Sequence, residues 1–366
     1  MHALLISTRK GLFVAEPKGS EYDVVRASFV GDNVTLALVD PRGGWYAALD
    51  HGHFGVKLHR SDDLGATWTE IASPAYPPQP EGQVDTSGSG KPVKWTTSLV
   101  WSLATALDRD GALWCGTLPG GLFRSDDRGA SWRLCESLWF HPSRNKWFGG
   151  GADDPGIHSI CLHSRDPRTI VAAVSCGGIW RSRDAGATWA NTATGMRATF
   201  MPPERQQDPD IQDVHYLVQC AMHPNVWWAQ HHCGIWRSTD DMASWTEIAK
   251  AGPSTFGFPV VVDPFDAETA WFIPAESDQK RIPVAGKLVV TRTRDGGKTF
   301  DVLSRGLPDR FAYDIVYRHA FSMSAEGTLA LGTTTGNVFA SRDRGDSWSA
   351  VSHHLPPVHA ITFASV

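Results

Sequence analysis

The sequence predicts an all-β fold, a single seven-bladed β-propeller domain spanning residues 1–366 and closed by its own C-terminal strand in blade one. Three observations predict it. A turn signature recurs six times along the chain, each copy sits in the same succession of short apolar strands, and the two chain ends are complementary fragments of that unit.

The signature reads SDDLGATW (61–68), SDDRGASW (125–132), SRDAGATW (182–189), STDDMASW (238–245), TRDGGKTF (293–300) and SRDRGDSW (341–348). It makes sense as a hairpin turn. The aspartate (Asp63, Asp127, Asp184, Asp240, Asp295, Asp343) can accept hydrogen bonds from its own loop. The glycine supplies a positive φ, and the closing Trp or Phe buries a large ring. Met242 stands where glycine is expected, which predicts a distorted or weaker turn there.

Around each signature lies a common unit. An apolar strand (GIHSICLH, DVHYLVQCAMH) is followed by a second (TIVAAVS, VWWAQH, TLALGT). A third (GIWRS, NVFAS) then runs into the turn, and a fourth follows it. Four short antiparallel strands per repeat describe a propeller blade. The N-terminal LLISTRKGLFVAE matches strands two and three without a strand one, whereas VHAITFAS (358–365) matches strand one with nothing after it. Pairing these two fragments makes a seventh blade and leaves no open sheet edge at the junction.

Composition excludes several classes. A formal charge of -5 gives no electrostatic case for nucleic acid or an anionic membrane. No window reaches the apolar length of a membrane span, and the apolar stretch of MHALLISTRKGLF is too short for a signal-peptide core. Six cysteines without a C-x-x-C pair suit free thiols in a reducing cytoplasm, the expected location. Sixteen Trp and 35 Gly fit a fold of many tight turns with aromatic packing. Nothing in the sequence sets the oligomeric state.

Strand order fixes sidedness. Turns between strands two and three share a face with the segments leading into each innermost strand, and the six signature turns lie on the opposite face. The insertions 72–96, 139–156, 192–213 and 275–287 therefore gather on one face, where long loops on a rigid scaffold carry function. Seven of the fifteen histidines map there, among them His158, His215, His231, His232 and His359. The expected catalytic residues are His158, Asp213 and His215, with Asp213 or His215 as base. Expected to bind substrate are Arg9, Lys10, Trp95, Cys176, His231, His232, Cys233 and His359. His158, His215 and His359 occupy similar places at the starts of three innermost strands, a pattern that suits a divalent transition metal.

The repeat resembles the Asp-box of bacterial neuraminidase (BNR) repeats, as found in sialidases and sortilin-type receptors. STRKGLF, VSCGGIWRS, FMPPE, QDVH and QHHCGIWRS are similar to segments of cytoplasmic bacterial Asp-box proteins described as glycosyl hydrolases or exo-sialidases. In those families the box aspartates are structural. A true sialidase site, with three arginines and a Tyr–Glu pair, is not matched. Arg281-Ile282-Pro283 spells the sialidase arginine motif, but in an insertion where that topology would not use it, so it reads as coincidence. The resemblance assigns no reaction; the His-rich mouth favours an enzyme acting on a small polar molecule, a glycoside or modified sugar, by hydrolysis or elimination. The rival is a non-catalytic propeller that docks a protein partner. A deep polar pocket favours the first, a flat patch of exposed aromatics the second.

Overall fold

The computed structural model describes residues 2–82 and 84–365. Seven four-stranded antiparallel sheets surround a central axis as the blades of a β-propeller. The innermost strands, in order of blade, are Val358–Ser365, Asn33–Val39, Leu99–Thr105, Ile157–Leu162, Val214–Gln219, Gly257–Val262 and Phe321–Met323. In blade one the C-terminal strand lies against His2–Thr8, pairing His2 with Ser365 and Ile6 with Ile361. The ring is thus closed by the two chain ends, as the complementary fragments predict.

Alternation of side chains within each strand supplies both faces of a blade. Ile170, Ala172 and Val174 of blade four pack on Trp114 and Leu122 of blade three. Val171 and Ala173, from the same strand, pack on Leu217, Trp227 and Ala229 of blade five. The core is therefore a set of wedges between neighbouring sheets rather than one central mass.

All six signature turns share one network, shown by the copy at Asp127. Its Oδ1 accepts from the Ser125 hydroxyl at 2.8 Å and the Ser131 amide at 2.9 Å, and its Oδ2 accepts from the Ser131 hydroxyl at 2.6 Å. Gly129 takes φ 85°, which lets its N–H reach the Ser125 hydroxyl at 2.8 Å. The fourth copy is not distorted, contrary to expectation. Met242 adopts φ 63° and donates its N–H to Ser238 Oγ at 2.9 Å. Its side chain is buried against the core between blades four and five, which offsets the left-handed backbone.

The closing tryptophans hold adjacent blades together. Trp68, Trp132, Trp189 and Trp245 donate their indole N–H to Ser28, Ala72, Ser137 and Thr192 respectively, each acceptor lying in the preceding blade or the loop that leaves it.

Candidate functional site

A repeated irregularity builds the site. In blades one to six the innermost strand slips register near its start, so that extra residues lie opposite the neighbouring strand. These bulge residues are His359, Thr35, Trp101, His158, His215 and Phe258, the last with Pro259. A bulge re-aims the residue it releases from the ladder, and here it turns five of them, all but His158, onto the wall of one axial cavity of about 340 Å³.

Blade seven breaks the pattern. Its innermost strand is only Phe321–Met323, and the preceding segment folds as a short 3-10 turn, Arg318–Ala320. That turn crosses the channel. His319 Nε2 donates to the main-chain oxygen of His158 in blade four at 2.7 Å, and its ring meets Tyr216 of blade five edge-on. Arg318 lies over Trp101 at 4.9 Å and Phe258 at 5.7 Å, from blades three and six. The turn floors the mouth cavity and divides it from a second cavity of about 440 Å³ lower in the channel.

On the wall stands a cluster of three polar residues. His232 Nδ1 lies 3.2 Å from Asp213 Oδ2, and His215 Nε2 lies 3.6 Å from the same oxygen. Asp213 leads into the innermost strand of blade five and His232 sits in the next turn of that blade, where its N–H bonds the Asp213 carbonyl at 2.8 Å. The second nitrogens are also engaged: His215 Nδ1 donates to Gly257 O at 2.7 Å, and His232 Nε2 faces Asp278 Oδ2 at 3.5 Å. His215 stacks on Phe258 at 4.7 Å. Burial opposes ionisation of Asp213, yet the two imidazoles beside it hold its carboxyl well below the usual range. Burial pushes His215 down against the pull of Asp213. His232, also resisted by burial, is raised because Asp213 and Asp278 flank it.

Arg318 is the cationic group of the floor. Its Nε is buried with no hydrogen-bond partner, and no carboxylate is in ion-pair contact with it among the described residues. Burial works against its charge, with Asp213 the leading opposing influence. Arg281 adds a second guanidinium at the rim, 5.5 Å from the Phe258 ring. The 275–287 insertion folds over the mouth and so brings Arg281 to the cavity, a placement that does not make the Arg281-Ile282-Pro283 match a sialidase motif.

Of the residues expected from sequence, Asp213, His215, His232 and His359 line this cavity. His359 is fixed by Nε2 donating to Asn33 Oδ1 at 2.9 Å. His158 does not line it. The blade-seven turn shuts it off, and it lies fully buried against Trp101, lining the lower cavity instead. The grouping of His158, His215 and His359 as metal ligands is corrected accordingly: the donors that converge, all within 4.8 Å of one another, are those of Asp213, His215 and His232.

Other expected binding residues also fall away from the wall. Arg9 and Lys10 are exposed at the tip of a tight turn pinned by the Arg9 N–H to Pro357 O. Trp95 packs on Trp139 and donates to Asp85, building the loop rather than the cavity. Cys233 Sγ accepts from the Thr199 amide and hydroxyl, each at 3.2 Å. His231 is buried, its Nδ1 accepting from the Cys233 N–H and its pKa pushed by burial to about 3. Cys176 sits behind Asp213, its N–H 3.4 Å from Oδ1, and burial with that carboxylate raises the thiol pKa far above the reactive range.

Sequence reasoning missed Trp101, Arg318 and His319. The available signal was the Arg-His pair standing where the other repeats carry an apolar strand.

These features define a seven-bladed propeller with a floored polar pocket at one end of its axis. No family model matches the chain, and no curated protein does. Solved structures share the fold at low identity. The GH74 enzyme of Niastella koreensis aligns with a TM-score of 0.63 at 15% identity, covering 95% of this chain and 52% of that one. This chain thus spans about half the length of that enzyme. YCF48 bound to D1 peptide aligns at 0.54 and 13% identity, covering 87% and 80%. A functionally unknown protein from Desulfotomaculum acetoxidans aligns at 0.57 and 10% identity, covering 99% and 98%.

Proposed function

We propose that the chain is an enzyme acting on a small polar molecule that carries an anionic group, a glycoside or modified sugar with a carboxylate, by hydrolysis or elimination. One observation carries this reading: the Arg318 guanidinium, without a carboxylate partner among the described residues, floors the cavity whose wall holds Asp213, His215 and His232. A guanidinium matches a carboxylate in shape and charge. A molecule anchored there presents its neighbouring carbon and oxygen atoms to the polar cluster, which activates water or takes a proton. Trp101, only partly buried on the wall, supplies apolar surface for a sugar ring. The fold shared with a GH74 enzyme supports the carbohydrate reading.

The test is turnover. Glycosides and sugar acids are incubated with the purified chain, and mass spectrometry reads bond cleavage or loss of water. Turnover is expected, and Asp213→Asn or His215→Ala should abolish it while the melting transition is retained. Turnover that survives both substitutions overturns the reading.

A second reading, a non-catalytic module that docks a protein, has its own support. Phe54, Phe140, Phe200, Phe311 and Tyr313 are exposed on loops of the same face, and YCF48, of like fold, is seen bound to a peptide. An exposed aromatic rim and a floored pocket are different surfaces. Substituting Phe311 and Tyr313 leaves small-molecule turnover intact under the first reading.

A further inference from the structure

The hydrogen-bonding capacities of the wall cluster leave one position unfilled. Gly257 O can only accept, so the Nδ1 of His215 bonded to it at 2.7 Å carries a proton. In the neutral ring Nε2 is then a lone pair, and it faces the carboxylate oxygen of Asp213 at 3.6 Å. His232 repeats the problem: each of its nitrogens faces a carboxylate, Asp213 at 3.2 Å and Asp278 at 3.5 Å, and a neutral imidazole has one proton to give. Without a cation, His232 has to carry a proton on both nitrogens to match its two carboxylates, and the lone pair of a neutral His215 still points at Asp213, while a second imidazolium there would crowd the aspartate beside buried Arg318.

We infer that Asp213 Oδ2, His215 Nε2 and His232 Nδ1 form a binding site for one divalent first-row transition ion, of which zinc and manganese are the probes of choice. A single protonation pattern then satisfies every group. His215 donates Nδ1–H to Gly257 O, His232 donates Nε2–H to Asp278, and both remaining lone pairs and Asp213 Oδ2 turn toward the ion. The distances agree. Donors about 2.1 Å from a tetrahedral ion stand roughly 3.4 Å apart, and octahedral neighbours roughly 3.0 Å. The observed 3.2 and 3.6 Å bracket the tetrahedral value and exceed the octahedral one, and all three donors lie within 4.8 Å of one another.

The surroundings match those of a metal centre. Each ligating imidazole has its other nitrogen oriented by an acceptor, the arrangement that fixes tautomer and ring direction at such sites. The Cys176 N–H holds Asp213 Oδ1 at 3.4 Å, leaving Oδ2 free to ligate. Gly150 closes over the cluster, and a Cβ there would stand 3.1 Å from Oδ2. Three protein ligands leave coordination positions open toward the cavity, where water or a substrate oxygen would bind. The inference names the chemistry of the pocket proposed above and rests on that pocket for its purpose, but not on Arg318.

Equilibrium dialysis of the full chain, stripped by a chelator and then offered zinc or manganese alone, tests it by metal analysis. One ion per chain is expected, with a rise in melting temperature that His232→Ala and Asp213→Asn both lose. Asp278→Asn should weaken binding by roughly 10–100-fold, as loss of an outer-shell partner does. His232 is more exposed than Asp213, so His232→Ala gives a second variant whose folding does not depend on replacing the buried carboxylate. No stoichiometric binding by folded wild type overturns the site, as does unchanged binding by His232→Ala. Arg318→Met should keep the metal and lose anion binding, so failure here and failure of the proposed function give different results.

Discussion

Trp189 offers a quantitative test of how the blades hold together. Only 8% exposed, it packs among Trp114 and Trp180 at the junction of blades three and four, and its indole N–H reaches Ser137 Oγ at 3.2 Å. Trp189→Ala should cost about 3–5 kcal/mol, the range for deleting a buried large aromatic. Trp189→Phe, which keeps most of the apolar area but loses the hydrogen bond, should cost about 1–2 kcal/mol. For a chain of 366 residues the unfolding entropy is roughly 0.8 kcal/mol/K, so the alanine variant should melt about 4–6 °C lower. Trp132, only partly buried, should lose less on the same change. Differential scanning calorimetry reads all three variants. If Trp189→Ala melts with wild type, or Trp132→Ala costs as much, the closing rings do not act as wedges between blades.

Three further outcomes are expected. Ending the chain at Pro357 removes the innermost strand of blade one and uncovers Leu4 and Ile6, so the protein should aggregate or lose its cooperative transition, checked by solubility and calorimetry. A truncated chain that melts like the parent contradicts the closure. The signature aspartates Asp63, Asp184, Asp240 and Asp295 are held at about 2, against an ordinary 3.8, chiefly by the Thr67, Thr188, Ser244 and Thr299 hydroxyls. A folded pKa below the unfolded one means their contribution is complete above about pH 4 and lost as pH falls through about 2. Melting temperature should therefore drop across that window, and a profile flat to pH 2 would show these bonds contribute nothing. His158→Ala should lower melting temperature yet leave turnover and ligand affinity unchanged, since its side chain lies below the floor; lost affinity would return His158 to the site.

The parts of this protein legible in its sequence are those set by local, repeated physics. An aspartate that satisfies its own turn, a residue at positive φ and a closing ring occur within eight residues, and repetition makes them visible. Closure followed from two incomplete units at the chain ends. Asp213, His215, His232 and His359 were found because strand order carries them to one face. The rest depended on departures from the repeat. Register slips decide which innermost residue turns to the axis, and no residue type marks them: Thr35, Trp101, His215 and His359 share the place but not the chemistry. The shortened strand of blade seven brings Arg318 and His319 across the channel and strands His158 beneath them. Met242 was misjudged because a turn position was weighed without the core that receives its side chain.

The central claim is that the mouth cavity takes a small anion on Arg318. Calorimetric titration of wild type and Arg318→Met with sugar acids, and separately with inorganic phosphate, tests it most directly. A saturable sugar-acid isotherm is expected for wild type, weakened at least tenfold by Arg318→Met, the loss of a charge-assisted bond worth about 1.5–3 kcal/mol. Phosphate binding in place of sugar acid would move the anchor to a different anion and contradict the carboxylate assignment. Equal affinity in both proteins, or no binding by folded wild type, would contradict the claim itself.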